Sequence, residues 1–374
     1  MRIRLESDGI INERRSFIKH LKFRKTERNE FSETLKKRVK TYFEINQIKK
    51  EGNSRLTVKS IIVLILYFSP LIIFSTGLIS SIWLLFLFYL ISGIGMIGIG
   101  MGVMHDASHG AFSANKKLNK YLSLSLNFVG ANAKIWHIQH VVLHHTYTNI
   151  LDADDDINVP FLLRLSPQSK RYKIHRFQHI YAWIVYGLTT LSWITIKDFS
   201  SFVRYKKMGL IKEKTSIEII KVISWKIIYY SFSLVLPILF LPIAPIWIIL
   251  AFLTMHFFVG LFVATIFQLA HVVPSSEFPV SDEHGKIDNH WLIHQLNTTA
   301  NFSPDSRIMS WFIGGLNYQI EHHLFPRISH VHYRDLSKIV QQTAKEFNIE
   351  YVVQTNLIQA IKGHAIQLRN LGRA

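Results

Sequence analysis

Residues 60–104 contain no Asp, Glu, Lys or Arg, and residues 227–270 contain none either. A helix needs about 20 consecutive apolar residues to cross a bilayer, so each run holds two crossings. A turn belongs inside each run, near Gly77 and Ser81 in the first and at Pro242 and Pro245 in the second. The chain is therefore expected to be an all-α polytopic membrane protein with four transmembrane helices, over residues 60–79, 82–104, 227–241 and 246–270.

Charge sets the expected orientation. Lys and Arg number 43 and Asp and Glu 25, a formal net charge of +18. The basic residues flank the apolar runs, which points to a membrane surface and away from nucleic acid. Both hairpin turns lack Lys and Arg, whereas the amino-terminal arm, residues 116–226 and the tail hold the positive charge. The positive-inside rule then puts the termini on the cytoplasmic side. Residues 180–196 are apolar but only 17 long, at the lower limit for a crossing. A crossing there would put later segments on the opposite face from earlier ones, so this stretch reads as an interfacial or re-entrant helix.

Three parts are expected: a basic cytoplasmic arm at 1–56, a central domain at 57–352 and a helical tail at 353–374. Within the arm, Phe31, Leu35, Val39, Tyr42 and Phe43 make one apolar stripe, an amphipathic helix lying on the membrane interface or on the rest of the protein. Residues 1–53 show no apolar core of a signal peptide. Soluble helices are expected near 333–347 and 355–371.

Histidines gather where the uncharged runs end. His105 and His109 are spaced i, i+4. His140 and His144 repeat the spacing, with His145 appended. His322 and His323 follow Gln319 by three and four residues, on one helical face. The fourth expected span ends at His271. Imidazole suits iron, zinc, copper and nickel. No His-Glu-x-x-His or His-x-x-Glu-His zinc signature occurs, and eight clustered histidines exceed the three protein ligands of a catalytic zinc. They suffice for two metals, and nitrogen-bound iron activates dioxygen at open positions. With no cysteine in the chain, disulfides, thiolate sites and cysteine-bound iron–sulfur clusters are excluded. Any electrons used must come from another protein.

Other motifs fail on their own chemistry. The acidic run from Asp152 to Asp156 alternates like a calcium loop, but Ile157 stands where glycine is required and Leu163 where glutamate is required. The sequons at Asn297 and Asn301 fall on the expected cytoplasmic side. His256 lies about 22 Å along a helix from His271, too far for one metal site, and is expected to pack or hydrogen-bond.

The clusters resemble the three histidine boxes of the membrane-bound fatty acid desaturases, in particular the front-end and linoleoyl-CoA-type group. His105-Asp-Ala-Ser-His109 resembles the first box. His140-Val-Val-Leu-His144-His145 through Asn149, with the acidic turn containing Asp156, resembles the second. Gln319-Ile-Glu-His322-His323 resembles the third, with glutamine in the first place as front-end members have it. Residues 267–271 and 291–302 match further segments, and the likeness runs from about Phe31 to Val352. It implies a cytoplasmic helical cap carrying a di-iron site, held by His105, His109, His140, His144, His145, His271, His322 and His323. Gln319, Asn149 and Asp156 become catalytic candidates beside the metal. It also implies oxygen-dependent formation of a cis double bond in a long acyl chain carried on lipid or coenzyme A. The fused haem domain of many relatives, marked by His-Pro-Gly-Gly, is missing from this sequence, so a separate ferredoxin or cytochrome b5-type donor is implied. The membrane would be multi-pass, a bacterial cell membrane ahead of the endoplasmic reticulum. His294 rivals His271 as the eighth imidazole; a helix end positions a ligand better than a loop. A hydroxylase on the same scaffold is the near alternative. A histidine-containing transporter is the remote one, disfavoured because only His256 lies deep in a span.

Overall fold

The computed structural model describes residues 2–24, 30–159 and 161–374. Residues 1 and 25–29 of the basic arm lie outside it, as does Pro160. Among the described residues, four helices are long and apolar enough to cross a membrane: Ser54–Phe74, Ile82–Ser108, Thr215–Phe240 and Pro245–His271. The fold is all-helical apart from two short parallel ladders, Lys22–Phe23 with Lys286–Ile287 and Asn301–Phe302 with Val353–Gln354.

Two helix starts differ from the expectation, for the same reason. The first span begins at Ser54, capped by the Asn53 side chain on Leu56 N, inside the stretch assigned to the arm. It ends at Phe74, before Gly77 turns the chain at φ +73°. The third begins at Thr215, a dozen residues before the uncharged run. In each case a buried lysine, Lys59 or Lys226, lies in the added turns, and Lys226 is the one of the two paired with a carboxylate. Lys226 Nζ lies 2.5 Å from Asp198 Oδ2 and 2.6 Å from the carbonyls of Gly130 and Trp193. A charge can be buried when it is paired and hydrogen-bonded, and absence of charge was the signal that set the expected start.

Small residues set the interhelical spacing. A side chain at Gly95 would meet the backbone N of Tyr67 at 2.3 Å, and one at Gly98 would meet Val63 at 2.5 Å. The first and second spans thus touch backbone to backbone, as small residues permit in membranes. Gly260 of the fourth span faces the Gly187 carbonyl in the same way, at 2.6 Å. That contact lays the helix Gln178–Gly187 against the fourth span. Residues 178–207 form a broken helical rod, and none of its pieces is among the four membrane-length helices.

The amphipathic arm helix, Glu30–Ile45, lies on the protein. It buries Phe31, Leu35, Val39 and Phe43 in one cluster with Leu336 and Val340 of the helix Tyr333–Glu346 and with Ile320 and Leu324. Full burial of such a side chain contributes about 1.5–3 kcal/mol. The last helix, Leu357–Arg373, docks through His364, whose ring bridges Tyr186 OH (2.8 Å) and the Val272 carbonyl (2.7 Å). Arm and tail therefore brace the same end of the bundle, where the histidines converge.

Candidate metal centre

Four separate elements deliver histidines to one place. A π-helical turn, Ile99–Val103, leads into Met104–Ser108, which carries His105. His109 caps that helix, and Gly110 (φ +73°) turns the chain away. His271 ends the fourth span. His322 and His323 sit on the short helix Gln319–Leu324, whose first turn is fixed by Asn301 Oδ1 accepting from Ile320 N at 2.9 Å.

The second box depends on a wider turn. In an α-helix, at about 100° per residue, i and i+5 point well apart. Residues Ile138–His144 form a π-helix, where i and i+5 come round to the same side. His145 Nε2 consequently lies 3.3 Å from His140 Nε2, and all three rings of the box face inward. The sequence reading of a plain i, i+4 pair with one histidine appended did not contain this turn.

The ring nitrogens form overlapping groups, each within 4.8 Å: His105, His109, His140 and His322; His144, His271 and His323; and His145, His322 and His323. His105 Nε2 and His140 Nε2 are 3.1 Å apart. The outer nitrogens are held from behind. His144 Nδ1 faces Asp154 (3.0 Å), His323 Nδ1 faces Gln295 Oε1 (2.7 Å), His322 Nδ1 meets Tyr333 OH (3.1 Å) and His271 Nδ1 meets the Thr298 carbonyl (3.2 Å). The inner atoms, Nε2 of His109, His144, His271, His322 and His323 and Nδ1 of His145, are buried without a hydrogen-bond partner. Each unsatisfied buried group costs about 1–3 kcal/mol. One ring nitrogen held by a polar partner and the other left free is how metal-binding histidines are oriented. The donor set fits a metal centre, which these ring nitrogens would hold.

Protonation agrees. Burial lowers the pKa of His109, His145, His322 and His323 well below the ordinary value, and that of His140 to about 3. These rings are neutral, the form that binds metal. For His144, burial is outweighed by Asp154 and Asp156, which carry it up to about 9. The favoured form keeps a proton on the Nδ1 they face and a second on Nε2, and a metal ion bound at Nε2 would displace that second proton.

The remaining candidates fall in different places. Gln319 is buried with both amide atoms unpartnered. Asp156 stands behind the second box: Oδ2 is 3.4 Å from His140 Nδ1 and 3.6 Å from His144 Nδ1, and Oδ1 takes a 2.5 Å bond from Gln139. His140, His144 and Asp156 thus form a further group within 4.8 Å, and since Asp156 faces the outer nitrogens its contact orients the rings. Asn149, at φ +60°, donates to the carbonyls of His271 (2.9 Å) and Glu277 (3.0 Å); it ties the second box to the end of the fourth span. His294 belongs to none of the ligand groups among the described residues and packs edge-on against Phe23, 5.0 Å between centroids. His256 is hydrogen-bonded to Tyr229 OH (2.5 Å) and Thr190 (3.2 Å). Asp154, Gln295 and Tyr333 were missed by sequence reasoning. Asp154 carried a signal as part of the acidic run after the second box, and Gln295 as part of the matching segment 291–302.

An apolar cleft abuts the histidines. It is narrow, with a cavity volume of about 30 Å³, and is lined by Met96, Met101, Met104, Val259, Val263 and Thr190 among others, with Trp136 and Phe267 at the histidine end. Trp136 stacks on His140 at 4.6 Å, and the Phe267 ring is 5.7 Å from it.

Comparison with known proteins agrees with this geometry. The fatty acid desaturase family model matches residues 81–355. The chain is 32% identical to the sn-1 linoleoyl-lipid 6-desaturase of Synechocystis sp., over 93% of this chain and 97% of that protein. It is 33% identical to the acyl-lipid (8-3)-desaturase of Physcomitrium patens, over 94% of this chain and 74% of that one. With the acyl-lipid (8-3)-desaturase of Mortierella alpina, identity is 30%, over 91% and 78%. A membrane-length helical bundle, three histidine boxes meeting at one buried point and relatives alike over most of their length lead to one conclusion: the chain belongs to the fatty acid desaturase family and is a membrane-bound fatty acid desaturase.

Proposed function

We propose that the protein introduces a cis double bond into a long, lipid-borne acyl chain, using dioxygen, two irons bound by the eight histidines and electrons from a separate ferredoxin or cytochrome b5-type donor. The observation that carries this reading is the set of buried, unpartnered ring nitrogens at the end of an apolar cleft. The names of the relatives, linoleoyl-lipid and acyl-lipid desaturases, favour lipid over coenzyme A as carrier. Bound iron would supply the activation of dioxygen that hydrogen removal from an unactivated methylene requires. Overall, two hydrogens of the acyl chain, two electrons and two protons reduce O₂ to two waters.

The chain's own residues supply position and exclusion. Met104, Trp136 and Phe267 form the walls where the cleft meets the histidines, holding a methylene pair and keeping bulk water out. Asp154, Asp156, Gln295, Tyr333 and the Thr298 carbonyl fix the ring orientations. The unpartnered Gln319 amide offers a neutral oxygen beside His322 and His323. Residues 57–352 are taken as the catalytic domain, with arm and tail packed on it.

The basic segments put the termini and the site on the cytoplasmic side. Reporter fusions after Ser113 and after Pro326 are expected to give the same, cytoplasmic signal; opposite signals would sink the four-span arrangement. The activity itself is tested by expression, with a donor, in a host of simple lipid composition. A new unsaturated acyl chain, seen by mass spectrometry of the host lipids, is the expected result. A folded, iron-loaded protein that leaves every acyl chain unchanged would overturn the proposal.

A further inference from the structure

A second cavity, of about 250 Å³, lies between the start of the first span and residues 304–334, and no carboxylate lines it. Its wall carries Arg55, Lys59, Arg307, Arg334 and His330, with Trp311. Lys59 is 2% exposed. Its ammonium has three donors but one acceptor, His330 Nε2 at 3.3 Å, and lies 5.6 Å from the centre of the Trp311 ring. Among the described residues, Arg55, Arg307 and Arg334 make no ion pair or side-chain hydrogen bond. The acid whose charge acts on Lys59, Asp106, is already engaged: its Oδ2 accepts from Ser329 Oγ (2.7 Å) and faces His330 Nδ1 (2.9 Å). A buried ammonium without a counter-charge is costly, and three free guanidinium forks beside it match the oxygens of a phosphate group.

The position says where that phosphate comes from. Arg55 and Lys59 stand in the first turns of a membrane-length helix, about 6 Å apart along its axis. On the same helix Val58, Ile61, Ile62 and Ile65 are exposed, an apolar strip beside the cavity. Across it, Ile308 and Trp311 are exposed on the short helix that begins with Arg307, and tryptophan favours the bilayer interface. An anion seated here therefore sits at headgroup level with a lipid-facing surface next to it. A basic recess at the headgroup end of a membrane helix is a setting in which anionic headgroups bind.

We propose that this cavity binds the phosphate of a membrane phospholipid whose tails lie along the first span. The lipid held here is separate from the substrate. On the reading of the apolar cleft given above, the acyl chain runs along Gly100, Met101 and Met104 of the second span. Lys59 approaches that helix at a different residue, Gly102, where an added side chain would meet its Nζ at 3.1 Å.

The test is native mass spectrometry of the full-length, iron-loaded protein in detergent, titrated with phosphatidylglycerol, with a neutral monogalactosyl diacylglycerol and with inorganic phosphate. The wild type is expected to retain phosphatidylglycerol and to bind the galactolipid weakly. The variant Arg307→Gln/Arg334→Gln should lose affinity for phosphatidylglycerol by about tenfold or more, while Arg171→Gln/Arg176→Gln, in the other basic cavity, should keep it. Arg307 and Arg334 are exposed, and unchanged iron content in their variant checks that it folds. The proposal is overturned if the galactolipid binds as tightly, if inorganic phosphate displaces the lipid at equal concentration, or if the double variant keeps its lipid and loses only the binding of an acidic donor protein. Lipid retention is read without turnover, so a failed desaturation assay leaves this result standing.

Discussion

His322→Ala is expected to lose both its iron and its turnover. This ring belongs both to the group with His105, His109 and His140 and to the group with His145 and His323, and its one free nitrogen, Nε2, lies where the two groups meet, so its removal takes a ligand from the middle of the site. Loss of a partner behind a ligand already costs 10–100-fold in metal affinity or activity; loss of the ligand itself is expected to cost about a hundredfold or more in turnover. His271→Ala is expected to behave similarly through the group with His144 and His323. His294→Ala is expected to keep most of its iron, because its ring lies outside every such group. Iron per protein chain, measured in purified variants, decides the assignment. Normal iron in His271→Ala with loss in His294→Ala would exchange their roles.

Val263→Phe is expected to suppress long-chain desaturation while leaving iron unchanged. Val263 lines the cleft one helical turn from Phe267, which packs beside His140. The added ring enters space that the substrate needs. Overpacking of this kind costs about 1–3 kcal/mol, which at 1.36 kcal/mol per tenfold gives roughly 5- to 150-fold. Val259→Phe, one further turn from the histidines, narrows the deeper end and is expected to shift preference to shorter chains. Turnover across a series of chain lengths, with iron measured in parallel, checks both. Wild-type selectivity in both variants would mean that the acyl chain takes another path.

The spans and boxes were legible because each rests on local chemistry. An uncharged run of 45 residues has few fates, and His105/His109 and Gln319/His322/His323 share helical faces by spacing alone. What stayed hidden depends on distant segments meeting. Nothing local to Lys226 says that Asp198 will neutralise it, so the third helix looked a dozen residues shorter. Tyr333 and Gln295 act on His322 and His323 only because the 333–346 and 291–297 helices fold over them. The π-turn in the second box was hidden for another reason: the spacing of His140, His144 and His145 is compatible with an ordinary helix, and packing selects the wider one.

The convergence of four elements on one point has a consequence for the folding of the whole chain. No covalent cross-link joins distant parts of a chain without cysteine. Two ions seated among these histidines would close loops of tens of residues between the first two boxes and between His271 and the third, and of more than a hundred between His145 and His271. For a disulfide, closing a loop of ~100 residues removes unfolded-chain entropy worth about 4–5 kcal/mol, and a metal tie acts on the same ensemble. Iron would then serve as the molecule's long-range staple as well as its reagent. The alanine variants described above would lose melting temperature in proportion to the iron they fail to hold.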